Sequence, residues 1–269
     1  MQSILNKIYN HKVELVNHLE SKEPLKNLKK RVLDTSKSRG FINKLKFNIK
    51  KSKPSIIGEI KKASPSKGII KENFYPEELA KIYQSGDASC ISVLTDSKFF
   101  LGSNNDLEKV RKVTNIPILR KDFIVSEYQI YESKVIGADC ILLIAEILSK
   151  DEIDSFSDLA KSLDLDVIIE VHSELNFQKY INNKDVLLGI NNRNLKNMTV
   201  DTNHVNKVAK GHNKNNIICE SGINSIALYK NLLDQGFKNF LIGEHFMKSK
   251  DIYKELKKFT NLTLKIEEQ

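Results

Sequence analysis

Several short apolar runs of this 269-residue chain end in residues that can hold anions and move protons. Glu59 and Lys61 stand two apart at the end of one run, so on a strand they project to the same face. A second run leads into Arg120-Lys121-Asp122-Phe123, and others end at Glu170, at Asn191-Asn192-Arg193 and at Glu220-Ser221-Gly222. Charged groups inside apolar strands are costly unless paired or functional. A single one could equally be a structural ion pair. Their recurrence at the ends of five runs points to a site with several ionisable groups. Lysines and an arginine suit an anionic substrate, and lysines beside carboxylates suit general acid–base chemistry. Gly222 and Gly243 each follow a run; glycine lets backbone N–H groups approach phosphate oxygens closely, and Ser221 adds a hydroxyl.

These residues need a scaffold that brings strand ends together. Eight apolar runs follow one another from Ser55: 55–60, 89–94, 116–119, 139–144, 166–171, 185–190, 216–219 and 238–242. Their spacing leaves room for a strand and a crossover helix each time. Near-continuous apolar character is what parallel strands covered on both faces require. Ser126-x-x-Gln129 and Ser149-x-x-Glu152 fit capping boxes, Pro76 fits a first helical turn, and Gly86, Gly137 and Gly236 fit left-handed helix ends. Eight βα units close most economically into a (β/α)8 TIM barrel, with a doubly wound open sheet as the alternative. Barrel chemistry sits at the C-terminal strand ends, where the charged residues fall.

Ahead of the barrel, Ile4, Leu5, Ile8, Leu15, Val16 and Leu19, then Leu25, Leu28, Val32 and Leu33, repeat at helical spacing. They predict two amphipathic helices, an N-terminal helical extension over 1–50 packed on a barrel over 51–269, in one structural domain. The basic stretch from Lys44 to Pro54 is expected to be a connecting segment. The net charge of +9 is spread along the chain and fits a solvated basic surface better than a nucleic-acid partner. No apolar run approaches the roughly 20 residues of a membrane span, and the first residues lack a secretory h-region. Cys90, Cys140 and Cys219 lie inside apolar runs and are expected to be buried thiols of a cytoplasmic protein. No His, Cys or carboxylate spacing suggests a metal, and no glycine motif suggests a nucleotide. His172 is expected to be a helix-start histidine, while Tyr75, Phe99 and Phe100 suit either a pocket wall or loop packing.

Eight collinear segments carry a family resemblance. They run from Ile57 to Ile69 (IGEIKKASPSKGI), Ser92 to Asn104, Leu119 to Lys134, Gly137 to Ala145, Ile169 to Leu175, Gly189 to Lys196, Glu220 to Asn224 and Leu241 to Met247. Together they resemble indole-3-glycerol phosphate synthase over nearly the whole chain, including the helical extension. The resemblance implies closure of 1-(2-carboxyphenylamino)-1-deoxyribulose 5-phosphate to indole-3-glycerol phosphate, with loss of carbon dioxide and water, in tryptophan biosynthesis. It makes Lys121 the acid, which works at neutral pH if burial or neighbours such as Lys61 and Arg120 lower its proton affinity. Arg120 should point to the other face of its strand. Glu170 becomes the base, while Glu59 and Lys61 orient substrate, with Lys61 also available to an anionic group or to dehydration. Asn191, Glu220 and Ser221 are implied as further catalytic positions, and Arg193 and Phe123 as substrate-binding. Lys61, Gly222, Gly243 and Glu244 are implied to hold phosphate.

No cofactor or metal is implied, since the aniline nitrogen supplies the electrons. The expected partner is a phosphorylated small molecule, not a membrane or nucleic acid. A monomer is expected, with other tryptophan-pathway enzymes as its conceivable associates. Two departures stand out: Lys62 replaces a common arginine, and His245 replaces a small residue beside the phosphate loop. Phosphoribosylanthranilate isomerase, another phosphate barrel, is shorter, lacks the helical extension and places a cysteine where Glu59 and Lys61 stand here.

Overall fold

The computed structural model describes residues 4–183, 185–194 and 198–264. Eight parallel strands close into a barrel: β1 Ser55–Ile60, β2 Cys90–Leu94, β3 Ile118–Lys121, β4 Cys140–Ile144, β5 Asp166–Val171, β6 Leu187–Asn191, β7 Ile217–Glu220 and β8 Asn239–Ile242. Each strand pairs with the next, and β8 closes on β1 through Ser55 opposite Asn239 to Gly58 opposite Ile242. Closure removes the open-sheet alternative. The strands are nearly all buried because helices cover them outside and apolar side chains fill the interior.

Strand boundaries differ from the apolar runs in a way that matters. Pro117 has no N–H to give a ladder, so β3 begins at Ile118 and carries Arg120 and Lys121 as its last residues. β6 and β7 likewise extend to Asn191 and Glu220. The charged residues therefore sit on the strands themselves, where the ladder fixes their direction.

Helices α1 (Ile4–Lys22), α2 (Leu25–Arg31) and α3 (Phe41–Lys50) precede the barrel. The third corrects the expectation of a connecting segment at the basic stretch. Phe41, Ile42 and Leu45 form a buried stripe, while the lysines occupy the other faces. α3 lies under the barrel floor, where the Ile42 amide donates to Asp166 at the start of β5. Its apolar stripe joins Ile57, Leu119, Cys140, Leu142, Ile168, Leu187 and Ile218 inside the barrel, and Leu5 and Ile8 of α1 meet the same column. Burying a side chain of this size contributes about 1.5–3 kcal/mol.

Of the capping signals, Ser149 and Glu152 form a full capping box at α7 (Lys150–Ser162). Ser126 caps α6 (Glu127–Val135) through the Tyr128 amide, but Gln129 accepts from Val125 instead of closing the box. Gly86 is not left-handed either: it has φ −83°, and Asp87 makes the left-handed turn at φ 64°. Cys90, Cys140 and Cys219 are buried free thiols whose proton affinity burial raises. Among the described residues no helix is long and apolar enough to cross a membrane.

Candidate active site

The strand ends surround a cavity of about 900 Å³. Glu59, Lys121, Glu170, Asn191 and Glu220 reach it from β1, β3, β5, β6 and β7. Period-two alternation sorts the β3 end: Lys121 faces the cavity, whereas Arg120 points outward to Glu132 of α6 at 2.6 Å. Arg120 therefore lies outside the cavity, as alternation predicted.

Lys121 Nζ stands 2.9 Å from Glu170 Oε2 and 3.5 Å from Glu220 Oε2. Burial alone favours the neutral amine, but the charges of Glu170, Glu220 and Glu59 outweigh it and raise Lys121 above the usual lysine value. This corrects the expectation of a lysine with lowered proton affinity. Lys61 pairs with Glu59 and gives Lys121 no relief.

The two carboxyl groups beside Lys121 are driven apart. Burial pushes Glu170 up, yet the Lys121 ammonium, the His172 ring and hydrogen bonds from Asn191 and Lys121 hold it below the usual carboxylate range. Burial pushes Glu220 up as well; Lys121 pulls against it, but burial, helped by Glu170 and Glu59, outweighs Lys121 and raises Glu220 to about 8. Glu220 is thus the carboxyl with the higher proton affinity, and its Oε1 is buried without a hydrogen-bond partner. Carboxylates this close cannot both ionise freely.

Other groups are fixed by the chain around them. The Asn191 amide donates to Glu170 Oε1 at 3.0 Å, and its oxygen accepts from the Arg193 amide at 2.9 Å. The Arg193 guanidinium donates to Ser66 Oγ and to the Met198 carbonyl, and lies 3.8 Å from Glu244. Lys248 donates to Glu244 at 2.6 Å, so cations already gather on that side of the cavity. Ser221 and Gly222 both adopt left-handed backbone, at φ 65° and 81°. Gly243 passes so near Glu59 that a Cβ there would fall 2.4 Å from its Oε1.

One wall is apolar. Phe123 lines it beside Phe100, with ring centroids 6.0 Å apart, and Leu142, Ile144 and α1 residues Ile4, Leu5 and Ile8 complete it. Of the other aromatic candidates, Phe99 packs on His11 and Tyr75 is exposed outside the cavity. His245 is tied to Glu255 at 2.9 Å and packs on Phe246 and Phe259. Leu195 and Lys196, at the end of the Gly189 segment, lie outside the described residues. Among the described residues no cluster of three or more His, Cys, Asp or Glu side chains is placed to hold a metal.

The sequence alone missed three features. The helical extension was placed on the barrel, but the α1 residues that wall the cavity were not singled out. Lys12, in the same helix, is buried and bonds Asp96 at 3.0 Å and Asp122 at 2.7 Å. The signal was present, because the buried stripe of α1 runs Leu5, Ile8, Lys12, Val16 with Lys12 in step. His172 is the third: its Nδ1 lies 2.9 Å from Glu146 and its Nε2 3.6 Å from Glu170, so it is a buried neighbour of the site.

A family model described as indole-3-glycerol phosphate synthase matches residues 5–259. An indole-3-glycerol phosphate synthase of Prochlorococcus marinus subsp. pastoris is 43% identical over 97% of this chain and 90% of its own length. One from Legionella pneumophila strain Paris is 42% identical over 96% of this chain and 98% of its own. Among solved structures, tryptophan synthase subunit alpha from Legionella pneumophila superposes with a TM-score of 0.60 at 12% identity, covering 84% of this chain and 98% of that one. Thiamine phosphate pyrophosphorylase from Pyrococcus furiosus gives 0.57 at 14% identity, over 78% of this chain and 95% of that one. These two likenesses concern the barrel alone.

Proposed function

The chain belongs to the indole-3-glycerol phosphate synthase family, and we propose that the groups at its barrel mouth divide that reaction among themselves. The enzyme is a carboxy-lyase of tryptophan biosynthesis that acts on a phosphorylated small molecule. Attack of the electron-rich aryl carbon on the ketone leaves an alkoxide, which takes one proton. Loss of carbon dioxide needs no proton, departure of the hydroxyl as water takes a second, and aromatisation releases one to a base. Two donors and one acceptor are therefore required.

Lys121 is the donor to the ketone oxygen. Its raised proton affinity keeps it charged, and the alkoxide is far more basic than any amine. Once Lys121 gives its proton away, Glu170 loses the nearest cation, so its own proton affinity rises as the base is needed. The observation that carries this assignment is the buried 2.9 Å contact between Lys121 and Glu170. Lys61 is the second donor and Glu59 holds it in place. Asn191 orients Glu170, while Glu220 and Ser221 shape the far side of the reacting centre. The aromatic ring lies against Phe123 and the α1 wall, and Arg193 faces an anionic group of the substrate.

Phosphate rests among Lys61, Gly222, Gly243 and Glu244, the last through its backbone. No cofactor or metal has a part in this scheme. Residues 1–50 serve as a packed extension of a single domain whose barrel spans 51–269. The protein works as a cytoplasmic monomer.

Replacing Glu170 with glutamine keeps the shape and the Asn191 contact but removes the base. Turnover is expected to fall by about 10²- to 10⁴-fold with product-analogue binding retained, and near-normal turnover would overturn the assignment. For the phosphate site, Gly222→Ala introduces the backbone strain at φ 81° and a Cβ 2.5 Å from Val200, whereas Gly222→Asp adds a like charge to both. Titration with inorganic phosphate should show the aspartate variant binding about 10²-fold more weakly than the alanine variant. Equal affinities would remove Gly222 from the phosphate site.

A further inference from the structure

Glu170 and Glu220 are two buried carboxyls beside one ammonium, that of Lys121, and something must decide which of them takes up a proton more readily. Lys121 hydrogen-bonds Glu170 at 2.9 Å and lies 3.5 Å from Glu220, so it favours the Glu170 charge while acting on both. The groups that lie on the Glu170 side only are Asn191 and His172.

His172 follows β5 directly and stands two residues past Glu170, on the same side of the strand. Its surroundings are built. Glu146, in the loop after β4, accepts from the His172 backbone amide at 2.8 Å, from Nδ1 at 2.9 Å and from the Asn176 side chain at 3.0 Å. His204 Nε2 donates to the His172 carbonyl at 2.9 Å, pinning the backbone from α9 (His204–Val208). With Nδ1 donating to Glu146, the other ring nitrogen is left for Glu170. Nε2 is buried, has no hydrogen-bond partner and faces Glu170 Oε1 at 3.6 Å. That separation is too long for a hydrogen bond but close for a charge. His172 does not line the cavity, so any effect on substrate passes through Glu170.

Building on the assignment of Glu170 as base, we propose that His172, fixed by Glu146, is the positioning residue that directs proton uptake to Glu220 and keeps Glu170 charged. Lys121 cannot fill this role throughout a turnover, because it gives up its own proton in the first step. His172 touches no substrate and keeps its charge.

The charge balance around the ring agrees. Burial disfavours the imidazolium, but Glu146 and Glu170 outweigh that, and Lys121 opposes them only in part, so His172 holds its proton above the ordinary histidine value. The groups facing this cluster are Lys121 from β3, Glu146 from the β4 loop, Asn191 from β6, Glu220 from β7 and Glu59 from β1. Without His172, proton uptake shifts toward Glu170 and disables the base at pH values where the native site works.

The test compares kcat and KM from pH 4 to 9 in the native protein, His172→Gln and Glu146→Gln. His172→Gln should move the acid limb of kcat upward by about one to two pH units, leave KM near native and recover at alkaline pH. Glu146→Gln should move the limb the same way by less, because the ring remains but loses its strongest proton-holding partner. An NMR titration of the His172 ring supplies the reciprocal measurement: its pKa should fall in Glu170→Gln. A rate lowered by one factor at all pH values, or an unshifted acid limb in both variants, would overturn the proposal while Glu170 remains the base. If Glu170→Gln keeps near-normal turnover, the base assignment itself fails, and the inference fails with it.

Discussion

Lys121→Met is expected to lower turnover by about 10²- to 10⁴-fold while the barrel stays folded, the range for loss of a positioned general acid. The effect has two parts. Methionine has no proton for the ketone oxygen, so the alkoxide forms without a partner. It also removes the ammonium that holds Glu170 ionised at 2.9 Å, so the Glu170–Glu220 pair then takes up protons more readily. The variant therefore loses the acid and weakens the base together. Its acid limb should rise along with the fall in rate. Circular dichroism and binding of a phosphorylated product analogue check that fold and cavity survive. A variant that is folded, binds the analogue and turns over within about threefold of native would contradict the assignment, since that is far below any general-acid contribution.

Lys12→Met is expected to have the largest effect on stability. Lys12 is 2% exposed and its ammonium is shared between Asp96 on the β2 loop and Asp122 just past β3. Removing one member of a buried ion cluster costs about 3–5 kcal/mol, because the carboxylates left behind are desolvated and uncompensated. Asp122 keeps Arg120 at 3.4 Å and Thr95 at 2.6 Å, which softens the loss without repairing it.

The sign with pH follows from both partners. Burial pushes Asp122 up, but Lys12 and Arg120 outweigh it and hold it below 3.8, so its contribution is present above that value and fades as pH falls through the lower folded value. Burial pushes Lys12 down, but Asp122 and Asp96 outweigh it and hold it above 10.5, so its contribution is complete below that value and fades at higher pH. Urea unfolding should therefore show the gap between native and variant open from about pH 4 to 10, and narrowing in acid. A gap below about 1 kcal/mol at pH 7 would mean that the cluster is a specificity device rather than a stabilising one. Because α1 also supplies Ile4, Leu5 and Ile8 to the cavity, KM should rise in the same variant.

The barrel was legible in the sequence because parallel strands buried on both faces leave unbroken apolar runs. β1 and β5 match their runs residue for residue, at 55–60 and 166–171. α3 was hidden because its lysines dominate the stretch from Lys44, while two of its three buried residues, Phe41 and Ile42, lie just before it. Strand ends named the ionisable groups, since alternation and the C-terminal rule need no tertiary detail. Protonation was beyond reach of the sequence. Whether Lys121 is raised or lowered depends on how many carboxylates face it, and three do. His172 does stand at a helix start, but its contact with Glu170 was not legible, and Lys12 went unread for a related reason. Each is a polar residue in a locally ordinary position, and each acquires its role from partners distant in sequence: Glu146 for one, Asp96 and Asp122 for the other.

The central claim is that this barrel mouth closes the indole ring with Lys121 as acid and Glu170 as base. It is tested most directly by mixing the purified protein with 1-(2-carboxyphenylamino)-1-deoxyribulose 5-phosphate and following indole fluorescence. The native protein should produce indole-3-glycerol phosphate continuously without added metal or cofactor, and Lys121→Met and Glu170→Gln should each show almost none while still binding product. Absence of fluorescence from a folded native protein that binds the substrate, or undiminished rates in both variants, would contradict it.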